Sequence, residues 1–129
     1  MPIELKMLGW SVLLGLVYIV VATGLGAMQR GLAWNASNRD GSTPALTGAA
    51  ARADRAVHNL LETFVFFAAA VLTVVLAQRT SPATALGVQL FFWARLVYLP
   101  VYIIGIPYLR TLIWAVSIWG IVQVLAVLF

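Results

Sequence analysis

The sequence predicts an all-α protein, a single domain of four transmembrane helices packed as a bundle. Its apolar fraction is 63% over 129 residues, against about 45–50% in soluble domains. Four runs are apolar for long enough to cross a bilayer, which requires about 20 residues each. Little sequence is left over between them. The predicted helices span residues 5–30, 49–78, 82–106 and 108–129.

The first apolar segment follows Lys6 and ends near Arg30. It extends past the roughly 7–15 apolar residues of a signal-peptide core, so we interpret it as a retained helix. Gly31 to Gly48 then forms the one long loop, rich in Gly, Asn and Ser and containing Pro44.

The later boundaries carry specific start signals. The second helix begins near Ala49, before the apolar run, because Ala-rich sequence continues through the charged residues without a breaker. Ser81 is an N-cap residue type, and Pro82 follows at the first helical position, where its missing N–H costs nothing. Because this turn is tight, helices two and three form an antiparallel pair. Pro107 cannot continue the third helix but can begin the fourth.

The formal charge of +4 does not indicate a nucleic-acid partner, because the basic residues form no aromatic-interleaved patch on a soluble face. Their distribution indicates topology instead. Lys6 and Arg79 lie on one side of the membrane in a four-helix path. The opposite side carries Arg30, Arg39, Arg52, Arg55 and Arg110. The positive-inside rule then places the first and third loops in the cytoplasm.

The chain lacks the side chains that a metal site or a catalytic thiol requires. The chain has no cysteine and a single histidine, His58. No second histidine or carboxylate cluster accompanies His58, so we predict a headgroup-level residue and no metal site.

Ionisable residues within the apolar segments carry the functional information, because a charge at the bilayer centre costs about 2.5–3.5 kcal/mol on insertion scales. Glu62 and Arg95 are the clearest cases, and we expect neither to face lipid. Two polar stripes follow helical spacing and span roughly 80° and 60°. The second helix contributes Arg52, Arg55, Asn59 and Glu62, and the third contributes Arg95, Tyr98 and Tyr102.

Because the second and third helices are antiparallel, the two stripes can face each other. Arg30 and Arg110 would then lie at the cytoplasmic opening of the same cavity, so that all four helices contribute to one polar cavity. The simpler alternative is structural: Glu62 pairs with Arg55 or Arg95 and only holds the bundle together.

The segment from Arg55 to Glu62 reads Arg-Ala-x-x-Asn-x-x-Glu at the start of the second helix. It resembles the signature of the MAPEG family, the membrane-associated proteins in eicosanoid and glutathione metabolism. The resemblance extends over nearly the whole chain, since size, helix count and loop lengths agree. The Arg-x-x-Tyr-x-x-x-Tyr spacing of the third helix adds to it. The chain resembles bacterial members, which implies the inner membrane.

The resemblance implies a homotrimer that binds glutathione between subunits near the cytoplasmic side. It implies a microsomal-type glutathione transferase or peroxidase acting on a hydrophobic electrophile that arrives through the bilayer. Arg110 matches the arginine that stabilises the glutathione thiolate. The predicted glutathione-binding residues are Arg30, Arg52, Arg55, Asn59, Glu62, Arg95, Tyr98 and Tyr102.

Two positions depart from the family pattern. Thr63 replaces the aromatic residue that often follows the signature glutamate, and Phe66 replaces a frequent proline. These departures motivate the alternative of a non-catalytic member that uses the fold as a scaffold or to hold a lipid-like ligand.

Overall fold

The computed structural model describes residues 1–41 and 45–129, so the predicted loop residue Pro44 lies outside the described residues. Within these ranges every regular element is an α-helix. Four helices are long and apolar enough to cross a membrane, which confirms the predicted fold class. The elements are α1 (Ile3–Arg30), α2 (Leu32–Ala36), α3 (Gly48–Leu76), α4 (Pro82–Ile104) and α5 (Pro107–Ala126).

The connection after α1 contains a short helix, α2, that the sequence did not predict. Gly31 ends α1 with φ of 92°, a left-handed conformation that glycine adopts without a steric cost. The chain then restarts as one helical turn that ends at Ala36 and is followed by the C-cap residue Ser37. The prediction of a continuous irregular loop is therefore wrong for these five residues.

The turn between α3 and α4 has the predicted cap. The Ser81 hydroxyl accepts from the Thr84 backbone N–H at 3.3 Å, and the Thr84 hydroxyl accepts from the Ser81 N–H at 2.8 Å. This reciprocal capping box satisfies N–H groups that the first helical turn leaves unpaired. Pro82 occupies the first position of α4, so both predicted start signals are confirmed.

The bundle core is aromatic and aliphatic. Phe67 of α3 and Phe91 of α4 stack with centroids 3.9 Å apart and planes 10° apart, and valines such as Val74 and Val124 are fully buried around them. Large apolar side chains also cover the outside of the chain, where Val65 is 67% exposed. That outer surface suits a lipid solvent, because acyl chains solvate apolar side chains as well as a protein core does.

The corner between α4 and α5 places the ends of these helices near the start of α3. Gly105 ends α4 in the left-handed conformation, with φ of 92°. Pro107 then begins α5, as its fixed φ and missing N–H allow. The two helices leave this corner side by side in close contact, so the corner presents a fixed surface.

Candidate functional site

An arginine-lined cleft, with a volume of about 210 Å³, lies between the start of α3 and the corner that joins α4 to α5. Arg52 and Arg55 enter it from α3, Tyr102 from α4 and Arg110 from α5. The structure thus brings together four of the predicted site residues, which lie on three different helices.

Tyr102 is the centre of this arginine cleft. The Arg110 guanidinium lies 4.6 Å from the centroid of the Tyr102 ring, and the Arg55 guanidinium lies 5.8 Å from it. Arg55 Nε also donates a hydrogen bond to the Tyr102 hydroxyl at 3.1 Å. Cation–π contact and the hydrogen bond together hold two like charges beside one ring.

Arg52 fixes the other wall of the cleft. Its Nε donates to the backbone carbonyl of Ile103 at 2.8 Å, which ties the start of α3 to the end of α4. Gly105 lies beside this contact, and a Cβ at that position would lie 3.4 Å from Arg52 Nε, an ordinary van der Waals distance. The left-handed turn, and not the approach of the arginine, is therefore what favours glycine here.

The cleft is strongly cationic. Its described lining residues include three arginines and no carboxylate, and no described residue accepts a hydrogen bond from the terminal Nη atoms of Arg52, Arg55 or Arg110. The free N–H groups and positive dipole end of α5 lie at the same corner. An anionic ligand would supply the acceptors that these donors lack.

Arg95 occupies a separate, buried position deeper in the bundle. It is fully buried and donates to Asn59 Oδ1 at 2.7 Å and to Thr63 Oγ1 at 2.9 Å. Its guanidinium also lies 4.8 Å from the Tyr98 ring centroid. As predicted, Arg95 does not face lipid. No described carboxylate pairs with it.

Tyr98 belongs with Arg95 and does not line the arginine cleft. It is fully buried, and its hydroxyl has no described hydrogen-bond partner. Its ring meets Tyr102 edge to face, with centroids 5.5 Å apart. The two tyrosines therefore connect the buried arginine to the cleft.

Glu62 differs from its prediction. In the single chain its side chain is exposed, and among residues 1–41 and 45–129 it forms no ion pair, so neither the expected interior position nor the alternative pair with Arg55 or Arg95 is present. The reason is angular. Asn59 and Thr63 lie roughly 40° apart and face Arg95, whereas Glu62 lies roughly 100° from Thr63 around α3. Arg55, also exposed, lies only about 20° from Glu62.

Arg30 also lies apart from the cleft. It lines a second cavity with Asn35, Arg39 and Asp54, on the α1 side of α3. The prediction that all four long helices contribute to one polar cavity is therefore wrong for a single chain. The α1 end and the α5 start flank α3 on different sides, so their arginines open into different spaces.

Two contact residues of Arg95 were not predicted. Thr63 accepts a hydrogen bond from it, and the Tyr18 hydroxyl donates to its backbone carbonyl at 2.5 Å. Thr63 follows Asn59 by four residues, so helical spacing alone could have added it to the stripe. Tyr18 lies in the apolar first helix, and no spacing pattern in the sequence links it to Arg95 of the third predicted helix.

No group of three or more metal-ligating side chains occurs in the part of the chain that the structure describes. His58 is exposed, and its Nδ1 lies 2.8 Å from the Asp54 carbonyl oxygen and 3.7 Å from the Asp54 carboxylate. This pair sits one turn apart on the surface of α3.

The comparisons with known proteins identify a family. The model of the MAPEG family matches residues 7–129, nearly the whole chain. Neither a curated protein nor a solved structure matches the chain.

Proposed function

Since the chain belongs to the MAPEG family, we propose that it binds glutathione in the arginine cleft and conjugates it through its sulfur to hydrophobic electrophiles. The family generally uses glutathione. The observation that carries the proposal is the convergence of Arg52, Arg55 and Arg110 around Tyr102 with no carboxylate among the described lining residues.

The charges of the ligand and the cleft are complementary. Glutathione has two carboxylates and a thiol that can ionise, which matches three guanidinium groups in number. Planar guanidinium groups bind carboxylates through paired N–H donors. The terminal Nη atoms of Arg52 and Arg55 suit the two carboxylates, because the Nε atoms of both residues already bond to the protein.

Arg110 suits the sulfur. A free thiol has a pKa near 8.5, so only a few per cent is thiolate at neutral pH. A guanidinium and a helix N-terminus beside the sulfur favour the anion, and each unit of depression corresponds to about 1.4 kcal/mol. In conjugation, the thiolate forms a C–S bond to the electrophile, and the leaving group departs with its electron pair. In a peroxidase reaction the same thiolate would attack the terminal oxygen of a lipid hydroperoxide, which breaks the O–O bond and releases the alcohol. A second glutathione would then reduce the resulting sulfenic acid, giving glutathione disulfide and water.

The second substrate reaches the cleft from the bilayer. The helices around the cleft are apolar on their outer faces, as at Ile104 of α4, which is 70% exposed. An apolar electrophile concentrates in such surroundings without a polar recognition group. We therefore propose a hydrophobic electrophile as the second substrate.

Completion of the site requires a neighbouring copy of the chain in this proposal. Glu62 and Arg55 are both exposed on the same edge of α3, and a carboxylate left facing lipid is costly. A homotrimer that covers this edge would shield Glu62 and let it bind the glutathione amine. Asn59 would contribute less, because its Oδ1 already accepts from Arg95. The basic end of the bundle, with the first and third loops, would face the cytoplasm.

The decisive experiment is replacement of Arg110 by alanine in the detergent-purified full chain. We expect the ultraviolet absorbance of the thiolate, seen on addition of glutathione, to disappear. Turnover of a model aromatic halide should fall on the order of 100-fold, the usual cost of losing one donor to a developing anion. Arg79→Ala is the matched control, because Arg79 lies at the other end of the bundle.

Full thiolate formation and turnover in Arg110→Ala would refute the assigned role. The same measurements separate the non-catalytic alternative, which is favoured by Glu62, exposed in the single chain and without an ion-pair partner among the described residues. A scaffold member would show neither thiolate absorbance nor turnover in the unmodified chain, even at saturating glutathione.

A further inference from the structure

The cavity that contains Arg30 is not used by the proposed reaction. It has a volume of about 150 Å³ and lies between α1, α3 and the segment after α2. Arg30, Arg39, Asn35 and Asp54 form its polar end, and α1 residues such as Ile19 extend its wall toward the membrane. The cavity is therefore polar at one end and apolar at the other.

The polar end is rich in donors. The guanidinium of Arg30 lies 5.0 Å from the centroid of the Trp34 ring, and that of Arg39 lies 5.9 Å from it. The Trp34 ring packs against both guanidinium groups but does not line the cavity. Arg39 uses its Nε on the Asn35 carbonyl at 3.3 Å, and no described residue accepts from its Nη atoms. Guanidinium donors without a described acceptor favour an anionic partner.

The charge and depth of the cavity define that partner. Two arginines against the single Asp54 leave a net positive charge. Ile19 precedes Arg30 by about 16 Å along α1 at 1.5 Å per residue, close to the thickness of one hydrocarbon leaflet, about 15 Å. The same cavity thus meets an anionic group at the membrane surface and an acyl chain below it.

We propose that this cavity binds an anionic phospholipid of the surrounding leaflet. The phosphate accepts hydrogen bonds from Arg30 and Arg39, and one acyl chain lies along Ile19 and Val57. Basic pockets between membrane helices recognise lipid headgroups in this manner. The bound lipid would hold α2 and the following turn against α1.

Native mass spectrometry of the detergent-purified full chain tests the proposal. The protein is titrated with phosphatidylglycerol or with phosphatidylcholine of the same acyl chains. We expect phosphatidylglycerol adducts to persist at activation energies that remove phosphatidylcholine. Arg39→Gln should weaken phosphatidylglycerol binding about fivefold, the usual effect of one basic residue at the membrane surface.

Arg79→Gln is the matched control, because it removes one exposed arginine from the other end of the bundle, and its adducts should equal those of the unmodified chain. Equal retention of the two lipids, or equal losses in Arg39→Gln and Arg79→Gln, would overturn the proposal. Displacement of phosphatidylglycerol by millimolar inorganic phosphate or glutathione would also overturn it, because the site would then select a free anion. Glutathione binding should be unchanged in Arg39→Gln, so this test is independent of the proposed reaction.

Discussion

At the scale of single residues, the buried Arg95 is the most demanding feature of the chain. A guanidinium at membrane depth requires hydrogen-bond acceptors to replace its water. The Arg95 Nη atoms donate to two neutral side chains, Asn59 and Thr63, and the guanidinium lies against the face of the Tyr98 ring. The buried Nε donates to no described residue. Removing any one acceptor leaves a buried charged donor unsatisfied.

We therefore expect Thr63→Val to destabilise the protein by about 1–3 kcal/mol, the cost of an unsatisfied buried donor. Unfolding by denaturing detergent in mixed micelles measures the change. Thr73→Val is the matched control on the same helix, because Thr73 is exposed and its hydroxyl bonds only to the Ala69 carbonyl. Similar losses in both variants would contradict the assigned contact.

Tyr102 offers a second residue-scale test. Tyr102→Phe removes the acceptor of the Arg55 hydrogen bond but keeps the ring beside Arg110. We expect glutathione to bind about 2- to 10-fold more weakly by calorimetry, since one hydrogen bond contributes about 0.5–1.5 kcal/mol. Tyr108→Phe, which alters a tyrosine that is 89% exposed, should bind normally. An unchanged dissociation constant in Tyr102→Phe would exclude this hydrogen bond from ligand binding.

At the scale of helices, small residues and cross-helix polar contacts set the packing. Gly87 of α4 and Gly120 of α5 approach so closely that a Cβ on Gly120 would lie 2.6 Å from the Gly87 carbonyl oxygen. Small residues commonly allow such backbone contact in membranes. One turn earlier on α4, the Thr84 hydroxyl donates to the buried Glu4 carboxylate at 2.8 Å, which ties the start of α1 to the start of α4.

Gly120→Ala should separate α4 from α5, because the added Cβ would meet backbone atoms that cannot move aside. We expect a loss of about 1–3 kcal/mol, typical of overpacking, and a lower thermal midpoint in detergent. Gly24→Ala on α1 provides the control, since its Cβ would meet nothing within 4 Å. A midpoint in Gly120→Ala equal to that of Gly24→Ala would disprove the close contact.

At the scale of the whole molecule, the single chain leaves a charged edge uncovered. Arg55 and Glu62 are exposed on one side of α3, in a helix that otherwise suits a membrane. The arginine cleft opens close to the same edge. An assembly that covers this edge would shield its charges from lipid and enclose the ligand.

We accordingly expect the detergent-purified protein to have the mass of three chains by light scattering corrected for bound detergent. Glu62→Leu removes the exposed charge, so we expect it to retain the trimer but to lose measurable glutathione binding. Phe66→Leu, an exposed apolar change one turn away, should keep both. A monomeric protein that binds glutathione with full affinity would rule out a shared site.

The sequence predicted the helices well because their signals are local. Length and hydropathy set the four membrane segments. Ser81 and Pro82 mark the start of α4, and Pro107 marks the start of α5, through backbone chemistry within one turn. The short α2 was not predicted, since five residues provide too little periodicity to distinguish a turn of helix from a loop.

The cleft was partly predictable for a similar reason. Helical spacing placed Arg52 and Arg55 on one stripe of α3, and the antiparallel order of the helices brought Tyr102 and Arg110 to the same end. The spacing could not show which residues of the stripe face the interior, because a sector of roughly 80° can face the interior on one side and lipid on the other.

The sequence by itself determined the membrane fold, the helix starts and the residue types available for an anion site, because each depends on hydropathy or on neighbours within about four residues. Only the tertiary structure decided that Arg95 bonds to Asn59 and Thr63, that Glu62 faces outward and that Arg30 opens into a cavity of its own. Those outcomes depend on the rotation of each helix about its axis. Packing between helices fixes that rotation, and a stripe on one helix does not encode it.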